Sequence, residues 1–286
     1  SPRMKISFLT RWLPPRIDGV GDYTWNLAYA LRQHGIDARI FTSEEQGSSS
    51  GLVKNDWVFP VIKEWEPQGV VKALKASVTD PPDWFSFQFV PQSFGRWGIC
   101  WQVADILRAL KKEFPCRIAV TFHEFISGWS FNPKDLFLAT ISRLQTIRIL
   151  STIDLAIATC GRYKDCLQSI SSYSLTVQVI PVGACVEPIN ISPEISVAFR
   201  KQRFPVTAKV FGLFSRLAIF RNSSLVVKAL QRARRQGLDA WLFIGEIGSP
   251  SSKPFKELMQ LAVKLGVKPY IVLSKDNLSM ALNTVD

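Results

Sequence analysis

The first forty-two residues constrain the fold more than any other stretch, because two strand-like runs flank one helical pattern. Residues 4–9 are a largely apolar run of strand length, and residues 39–42 are the core of a second run. Between them, side chains recur at the spacing of one helix face: Tyr23, Leu27, Ala30, Leu31 and His34. Gly35 follows where a helix end favours positive φ. The pattern predicts a βαβ unit with parallel strands, with His34 as a structural residue on the core-facing stripe.

A glycine-containing loop precedes the predicted helix, at the edge of the sheet where parallel strands end and ligands bind. It reads DGVGD over residues 18–22. A dinucleotide site is disfavoured, because Thr24 replaces the third glycine of that fingerprint and the loop is longer than its tight turn. Two interpretations remain open. The glycines only form a turn, or they let backbone N–H groups approach an anionic ligand at the helix N-terminus.

Strand and helix patterns alternate along the whole chain, which predicts an α/β fold with two doubly wound, Rossmann-like parallel sheets. We predict an N-terminal domain over residues 1–187 and a proline-containing inter-domain connection over residues 188–206. Residues 207–286 are predicted to form a second domain that is incomplete, because three strand–helix units end there without a closing strand. Among the helices, one is predicted over residues 98–114 and the last over residues 277–282.

Composition and charge exclude several classes of protein. The apolar fraction of 47% argues against disorder, and five scattered cysteines argue against a disulfide scaffold or a zinc site. No apolar stretch reaches the roughly 18–20 residues that span a bilayer. A reducing cytoplasm fits best. The net charge of +12 implies attraction to something anionic, whether nucleic acid, acidic lipid or a phosphorylated substrate.

His123 and Glu124 follow the predicted strand over residues 117–122, at the carboxyl end where sites are built. An imidazole there donates or accepts a hydrogen bond to a sugar hydroxyl or phosphate, and it is expected to titrate near neutral pH. A purely structural role for His123 stays open. Glu124 is the weaker candidate, since neighbouring strand residues point to opposite sides.

Two arginines flank the start of a predicted helix in the second half of the chain. Arg216 follows the strand over residues 210–214, and Arg221 lies just before the helix that begins near Ser223. Cations at a helix N-terminus oppose the dipole unless an anion lies between them, and a diphosphate suits the planar guanidinium fork. Two solvent-facing arginines are the alternative. No Asp-x-Asp occurs to hold a divalent cation, so no metal is expected.

Five short segments, taken in chain order, resemble known sequence motifs. They are PRIDGVG at 15–21, TFHE at 121–124, IPVGA at 180–184, SRL at 215–217 with RN at 221–222, and IGE at 244–246. Together they resemble the motifs of the GT-B glycosyltransferases, specifically the family-4-like, retaining, nucleotide-sugar-dependent group. The sequence departs from that pattern in three places: Asp18 replaces the first glycine, Arg221 replaces the usual lysine, and Ile247 replaces a glycine.

The resemblance implies transfer of a sugar from a nucleoside diphosphate sugar to an acceptor hydroxyl, with retention of configuration and without metal, in an inter-domain cleft. By that resemblance Gly19, Val20 and Gly21 contact donor phosphate or acceptor, and His123 contacts the transferred sugar. Arg216 and Arg221 are implied to neutralise the departing diphosphate. The remaining donor-side candidates are Glu124, Gly245 and Glu246. The family's Glu-x7-Glu segment is expected just after Asp286, so the chain is expected to be truncated.

The acceptor class stays open between a glycan, a lipid-linked molecule and a small molecule. The second hypothesis is a non-catalytic or truncated binding module that uses its basic surface on an anionic membrane or a partner protein. Under either hypothesis the expected location is the cytoplasm, with peripheral contact at the inner face of the membrane as an open question. Nucleic acid is not an expected partner, because no recognised reading motif accompanies the charge.

Overall fold

The computed structural model describes two compact units, Ser1–Cys185 and Val186–Asp286. The described residues are 4–16, 18–45, 55–124, 132–171, 175–183, 191–214, 223–245, 252–274 and 285. The last predicted helix, over residues 277–282, lies outside them. No helix among these residues is long and apolar enough to cross a membrane.

The first unit contains one parallel sheet of seven strands, in the order β3-β2-β1-β4-β5-β6-β7. The strands are β1 Lys5–Leu9, β2 Asp37–Ser43, β3 Val58–Ile62, β4 Trp84–Phe89, β5 Arg117–Phe122, β6 Leu155–Ala158 and β7 Val177–Val179. The helices are α1 Gly19–Gln33, α2 Pro67–Ser77, α3 Pro91–Phe94, α4 Gln102–Glu113, α5 Pro133–Leu150 and α6 Gly161–Ile170. The predicted βαβ unit at the N-terminus is confirmed, with β1 and β2 paired in parallel.

The central strand β4 is buried on both faces, and its two faces differ in chemistry. Phe85, Phe87 and Phe89 alternate on one face and join the main apolar core of the unit. Ser86 and Gln88 occupy the other face and are equally buried. Phe8 of β1 pairs with Ser86, and Phe8 belongs to the cluster that α1 covers. The polar residues of β4 therefore lie on the α1 side of the sheet.

The buried face of α1 is rotated from the predicted stripe. Thr24 and Ala28 are fully buried, whereas Ala30 and His34 are exposed. The interpretation of His34 as a core-facing structural residue is therefore wrong. Residues at 24, 28 and 31 share the i, i+4, i+7 spacing, so this row faces the sheet, and His34 only ends the helix, its N–H donating to the carbonyl of Ala30.

The predicted helix over residues 98–114 begins later, at Gln102. Gly98 has φ of 77°, which a continuous right-handed helix does not accommodate. The buried side chain of Gln145 bridges this segment instead: its amide nitrogen donates to the carbonyl of Gly98, and its oxygen accepts from the Cys100 N–H. These bonds satisfy the backbone groups that a helix would have paired.

The second unit contains a parallel sheet of three strands, in the order β10-β9-β8, in the part of the chain that is described. Its elements are α7 Pro193–Arg203, β8 Lys209–Phe214, α8 Ser223–Arg235, β9 Ala240–Gly245, α9 Lys253–Lys264 and β10 Ile271–Ser274. Side chains of α8 and α9 form one apolar cluster with the sheet, and Phe199 of α7 joins another. Both units therefore have helices packed on a parallel sheet, which confirms the predicted doubly wound α/β fold class.

The segment interpreted as an inter-domain connection, residues 188–206, contains α7. Phe199 of this helix is 8% exposed and packs with Phe204, Val210 and Phe243 in the second unit. Ser192 caps the helix by accepting a hydrogen bond from the Ile195 N–H. Residues 193–203 are thus a packed element of the second unit, and the sequence missed it because only one of its side chains is buried.

Replacing Phe199 by alanine is expected to lower the free energy of unfolding of the second unit by about 3–5 kcal/mol, because a large buried aromatic side chain leaves a cavity. Ile195→Ala is the matched control, since Ile195 lies on the same helix and is 53% exposed; its cost should be about 0.5 kcal/mol or less. Urea denaturation of both variants measures the difference. Equal costs would contradict the packing of α7.

Candidate functional site

The strand order of the first unit fixes where a ligand site can form. From β1 the chain runs outward through β2 and β3, and from β4 it runs outward the other way through β5, β6 and β7. The order therefore reverses between the neighbouring strands β1 and β4. In doubly wound sheets, the crevice outside the carboxyl ends at this switch point is the usual ligand site.

His123 lies at this edge and is held on two sides. Its Nε2 is 2.9 Å from the Oε1 atom of Gln88, and its ring meets the ring of Tyr23 edge to face, with centroids 4.8 Å apart. Thr121 pairs with Gln88 in register, so His123, two residues further, points to the same face. Tyr23 reaches it from α1, which covers that face. The structure thus connects His123 with the helix that follows the glycine loop.

The hydrogen bonds of Gln88 fix the tautomer of the imidazole. The Gln88 amide nitrogen donates to the Ser86 hydroxyl over 3.0 Å, so its oxygen faces His123. With the amide in this orientation, Nε2 of His123 carries the proton and donates to that oxygen. In the neutral ring the other nitrogen, Nδ1, is an acceptor. The ring is therefore oriented and able to accept a hydrogen bond through Nδ1.

Burial lowers the pKa of His123 from 6.5 to about 4. The expectation that it titrates near neutral pH is therefore wrong, because removal from water disfavours the charged imidazolium. At pH 7 His123 is a neutral hydrogen-bonding group, which suits contact with a hydroxyl better than the binding of an anion.

The N-terminus of α1 is capped by the chain itself. The carboxylate of Asp18 accepts a hydrogen bond of 2.8 Å from the Gly21 N–H, and the Asp18 carbonyl accepts from the Asp22 N–H. Aspartate is among the best N-caps because it satisfies free N–H groups and its charge complements the dipole. Asp18, where this sequence departs from the glycine motif that it resembles, thus accepts a hydrogen bond from a backbone N–H group that was expected to face a ligand.

Gly21 and Gly19 differ in what surrounds them. A Cβ atom on Gly21 would lie 2.6 Å from the backbone oxygen of Trp12, whereas one on Gly19 would have no heavy atom within 4 Å. Gly21 is therefore needed for the close approach of α1 to the preceding loop. Val20 is half-buried, and its carbonyl accepts from the Thr24 hydroxyl over 2.6 Å. Contact of these three residues with donor or acceptor stays a prediction.

The other predicted site residues fall into two groups. Glu124 is exposed, and Gly245 ends β9 beside Phe214, its register partner at the end of β8. A Cβ atom on Gly245 would lie 2.7 Å from the Phe214 ring, so glycine allows this ring to cover the strand end. Arg216, Arg221 and Glu246 lie outside the described residues.

Gln88 was not among the residues predicted for the site, and Tyr23 was predicted only to face the core. A signal for Gln88 existed, since a glutamine interrupts the aromatic strand WFSFQF and must find a partner when buried. Within the described ranges, no three His, Cys, Asp or Glu side chains converge as a metal site would need. The thiols of Cys100, Cys116, Cys160 and Cys166 are free.

Gly21→Ala is expected to destabilise the first unit by about 1–3 kcal/mol, because the added methyl group meets a backbone oxygen that cannot rotate away. Gly19→Ala adds the same methyl group two residues earlier into open space and should be neutral or slightly stabilising. Denaturant midpoints of the two variants measure the effect. A larger loss for Gly19→Ala would disprove the packing role of Gly21.

The lowered pKa of His123 predicts how stability changes with pH. Between pH 6.5 and about 4 the unfolded state binds the proton that the folded state rejects, so this contribution is complete above pH 6.5 and is lost as the pH falls towards 4. Wild-type protein should therefore lose more stability over this range than His123→Gln. Urea midpoints at several pH values test it, with His34→Gln as the control at the exposed histidine. Identical slopes for wild type and His123→Gln would refute it.

No model of a protein family matches this chain, and no curated protein sequence does either. Solved structures match it over nearly its full length. Anabaena Alr3699/HepE, crystallised with UDP and glucose, is 17% identical with a TM-score of 0.69 over 99% of this chain and 73% of its own. A glycosyltransferase from Rickettsia africae is 14% identical, with a TM-score of 0.66 over 100% and 72%.

The same fold also occurs in a protein described as a putative UDP-N-acetylglucosamine 2-epimerase from Listeria monocytogenes. It is 10% identical, with a TM-score of 0.55 over 99% of this chain and 72% of its own. At these identities the similarity establishes the fold and not the reaction. The chain has the GT-B fold, with a Rossmann-like parallel sheet in each unit.

Proposed function

We propose that this chain is a glycosyltransferase that takes a sugar from a nucleoside diphosphate sugar and transfers it to an acceptor hydroxyl with retention of configuration. The observation that most supports this function is the neutral His123, which Gln88 and Tyr23 orient at the carboxyl edge of the switch-point strands. The GT-B fold shared with sugar-nucleotide enzymes supports this assignment, and HepE, crystallised with UDP, favours a uridine donor.

The role proposed for His123 is to position the transferred sugar. Its Nε2 proton is engaged by Gln88, so Nδ1 accepts a hydrogen bond from a sugar hydroxyl. A neutral ring suits this task, because a charged imidazolium has no acceptor nitrogen. The edge-to-face contact with Tyr23 restricts rotation of the ring, so the Nδ1 atom is already aligned before the sugar binds.

The proposed charge chemistry depends on the second unit. In the reaction, negative charge develops on the departing diphosphate, and groups that bind this charge more strongly in the transition state accelerate the step. Arg216 and Arg221 are proposed to supply this stabilisation in place of a metal ion. Supporting this, β8 and β9 end side by side at Phe214 and Gly245, and the segment with Arg216 follows the first of these ends.

The donor is proposed to bind in the inter-domain cleft implied by the family resemblance, with an acceptor that remains to be identified.

We propose a cytoplasmic location, which the four free thiols of the described chain support. A non-catalytic module acting on an anionic membrane or partner protein is the second interpretation, and the fold relatives named above do not favour it. The epimerase with the same fold makes sugar-nucleotide isomerisation a reaction to assay alongside transfer.

Calorimetric titration with UDP, GDP and ADP tests the proposal, and UDP is expected to bind selectively. Arg216→Ala should weaken UDP binding by about 1.5–3 kcal/mol, the range for hydrogen bonds to charged groups. Arg232→Ala is the matched control, because it removes an exposed arginine of α8 in the same unit and should leave affinity unchanged.

Two results would contradict the proposal. Unchanged UDP affinity in Arg216→Ala would remove that residue from the donor site. Absence of binding by any nucleotide would favour the non-catalytic interpretation. If UDP binds, incubation with UDP-glucose and UDP-N-acetylglucosamine distinguishes the reactions, since transfer or slow hydrolysis releases UDP and epimerisation does not.

A further inference from the structure

A buried N–H group without a hydrogen-bond partner lies in the loop between β1 and α1. Among the described side chains, buried polar atoms have hydrogen-bond partners except for the Nε atom of Arg11. A buried donor without a partner is costly, and a charged one more so, which makes such an atom a marker for a missing ligand. Arg11 follows β1 at the carboxyl edge of the sheet, two residues beyond Leu9.

A second guanidinium group, that of Arg16, lies beside the same indole ring as Arg11. The Arg16 guanidinium carbon lies 3.4 Å from the Trp12 ring centroid, and that of Arg11 lies 5.3 Å from the same centroid. The separation of the two guanidinium carbons therefore cannot exceed the sum of these two distances. The two like charges repel each other, which is seen in the lowering of the Arg11 pKa by Arg16. An oxyanion bound by both groups would offset this repulsion and accept a hydrogen bond from the free Nε–H group of Arg11.

The charges around Arg11 favour the binding of an anion. Burial, the largest cause, lowers the pKa of Arg11; the charge of Glu45 raises it, and the charge of Arg16 lowers it further. Glu45 is exposed, so its compensation is screened by solvent. The carboxylate of Asp18, in the same loop, already accepts a hydrogen bond from the Gly21 N–H. Neither acid pairs with the buried Nε atom of Arg11.

The backbone that carries these arginines is firmly held. The carbonyl of Arg11 accepts from the buried Thr42 hydroxyl at 3.0 Å, which ties the loop to β2. The carbonyl of Trp12 lies against Gly21, where no Cβ atom would fit. The backbone that carries Arg11 is therefore fixed before an oxyanion binds, which limits the entropy lost on binding.

We propose that Arg11 and Arg16 form an oxyanion site at the carboxyl end of β1, which holds a phosphate ester or similar anionic group of the acceptor. A planar guanidinium group can donate two parallel hydrogen bonds to the oxygens of a phosphate ester. The indole ring of Trp12 beside the two arginines restricts the motion of their guanidinium groups. The assignment of the anion to the acceptor rests on the proposed glycosyltransferase function, whereas the anion site itself does not.

Arginine side-chain NMR on the full chain tests the site. The Nε–H signal of Arg11, identified by its loss in Arg11→Lys, should shift saturably as inorganic phosphate replaces chloride at constant ionic strength. Arg16→Gln should weaken phosphate binding at least tenfold, because one charge-assisted contact is lost. Arg16 is exposed, so this variant is expected to fold.

Arg96→Gln is the matched control. Arg96 is also an exposed arginine beside an indole, 4.8 Å from the Trp97 centroid, and its loss changes the net charge equally. Phosphate affinity should stay within about twofold of wild type. A shift that never saturates, or equal weakening in Arg16→Gln and Arg96→Gln, would overturn the site.

Addition of UDP separates this proposal from the proposed function. Simultaneous binding of UDP and phosphate supports an acceptor site apart from the donor. Displacement of phosphate from Arg11 by UDP would assign the arginines to the donor diphosphate and overturn the acceptor assignment. Phosphate binding without any nucleotide binding would leave the anion site intact and refute the glycosyltransferase.

Discussion

Every strand pair in both sheets is parallel, so all strands of a sheet end at one edge, and this decides which residues can meet at a ligand. Residues far apart in sequence, such as Arg11 and His123, follow strands that end at the same edge of one sheet. The strand order reverses between β1 and β4, and doubly wound sheets ordinarily bind their ligands beside such a reversal. The polar side chains of the first unit that carry the proposals belong to this edge.

On the α1 side of the central strands, buried polar side chains orient His123. Ser86, Gln88 and Thr121 are buried in a sheet whose opposite face is filled by phenylalanines. Buried polar groups are tolerated only when they are hydrogen-bonded, and Gln88 meets this condition by joining Ser86 to His123. The network fixes the ring, and burial holds it neutral. The hydrogen bond of Gln88 to His123 gives this buried glutamine a role in orienting the ring.

The sequence predicted the elements well and the contacts between them less well. The parallel α/β class followed from alternation, and β5 has the bounds that its apolar run indicated. The helix α7 was missed because a single buried aromatic, Phe199, gives no visible period. The rotated face of α1 was missed because Ala30 fits an apolar stripe yet lies in solvent.

For the candidate site, the sequence indicates positions along the chain but not the partners of a side chain in space. His123 was identified because it directly follows β5, but its lowered pKa depends on its burial, which the sequence does not show. Gln88 and Arg11 acquire meaning only from their neighbours in space. A single sequence gives periodicity and order, whereas a partner 35 residues away is a property of the sheet register.

Asp18 and the two arginines together change how this loop can recognise an anion. A helix N-terminus ordinarily attracts anions through its free N–H groups. Here the Asp18 carboxylate accepts from one of these groups and adds a negative charge, which opposes a second anion at the same point. Arg11 and Arg16 lie in the same loop and supply two positive charges around Trp12. Anion recognition at this edge therefore moves from the helix dipole to guanidinium groups, which offer directed hydrogen bonds and so discriminate between oxyanions by shape as well as by charge.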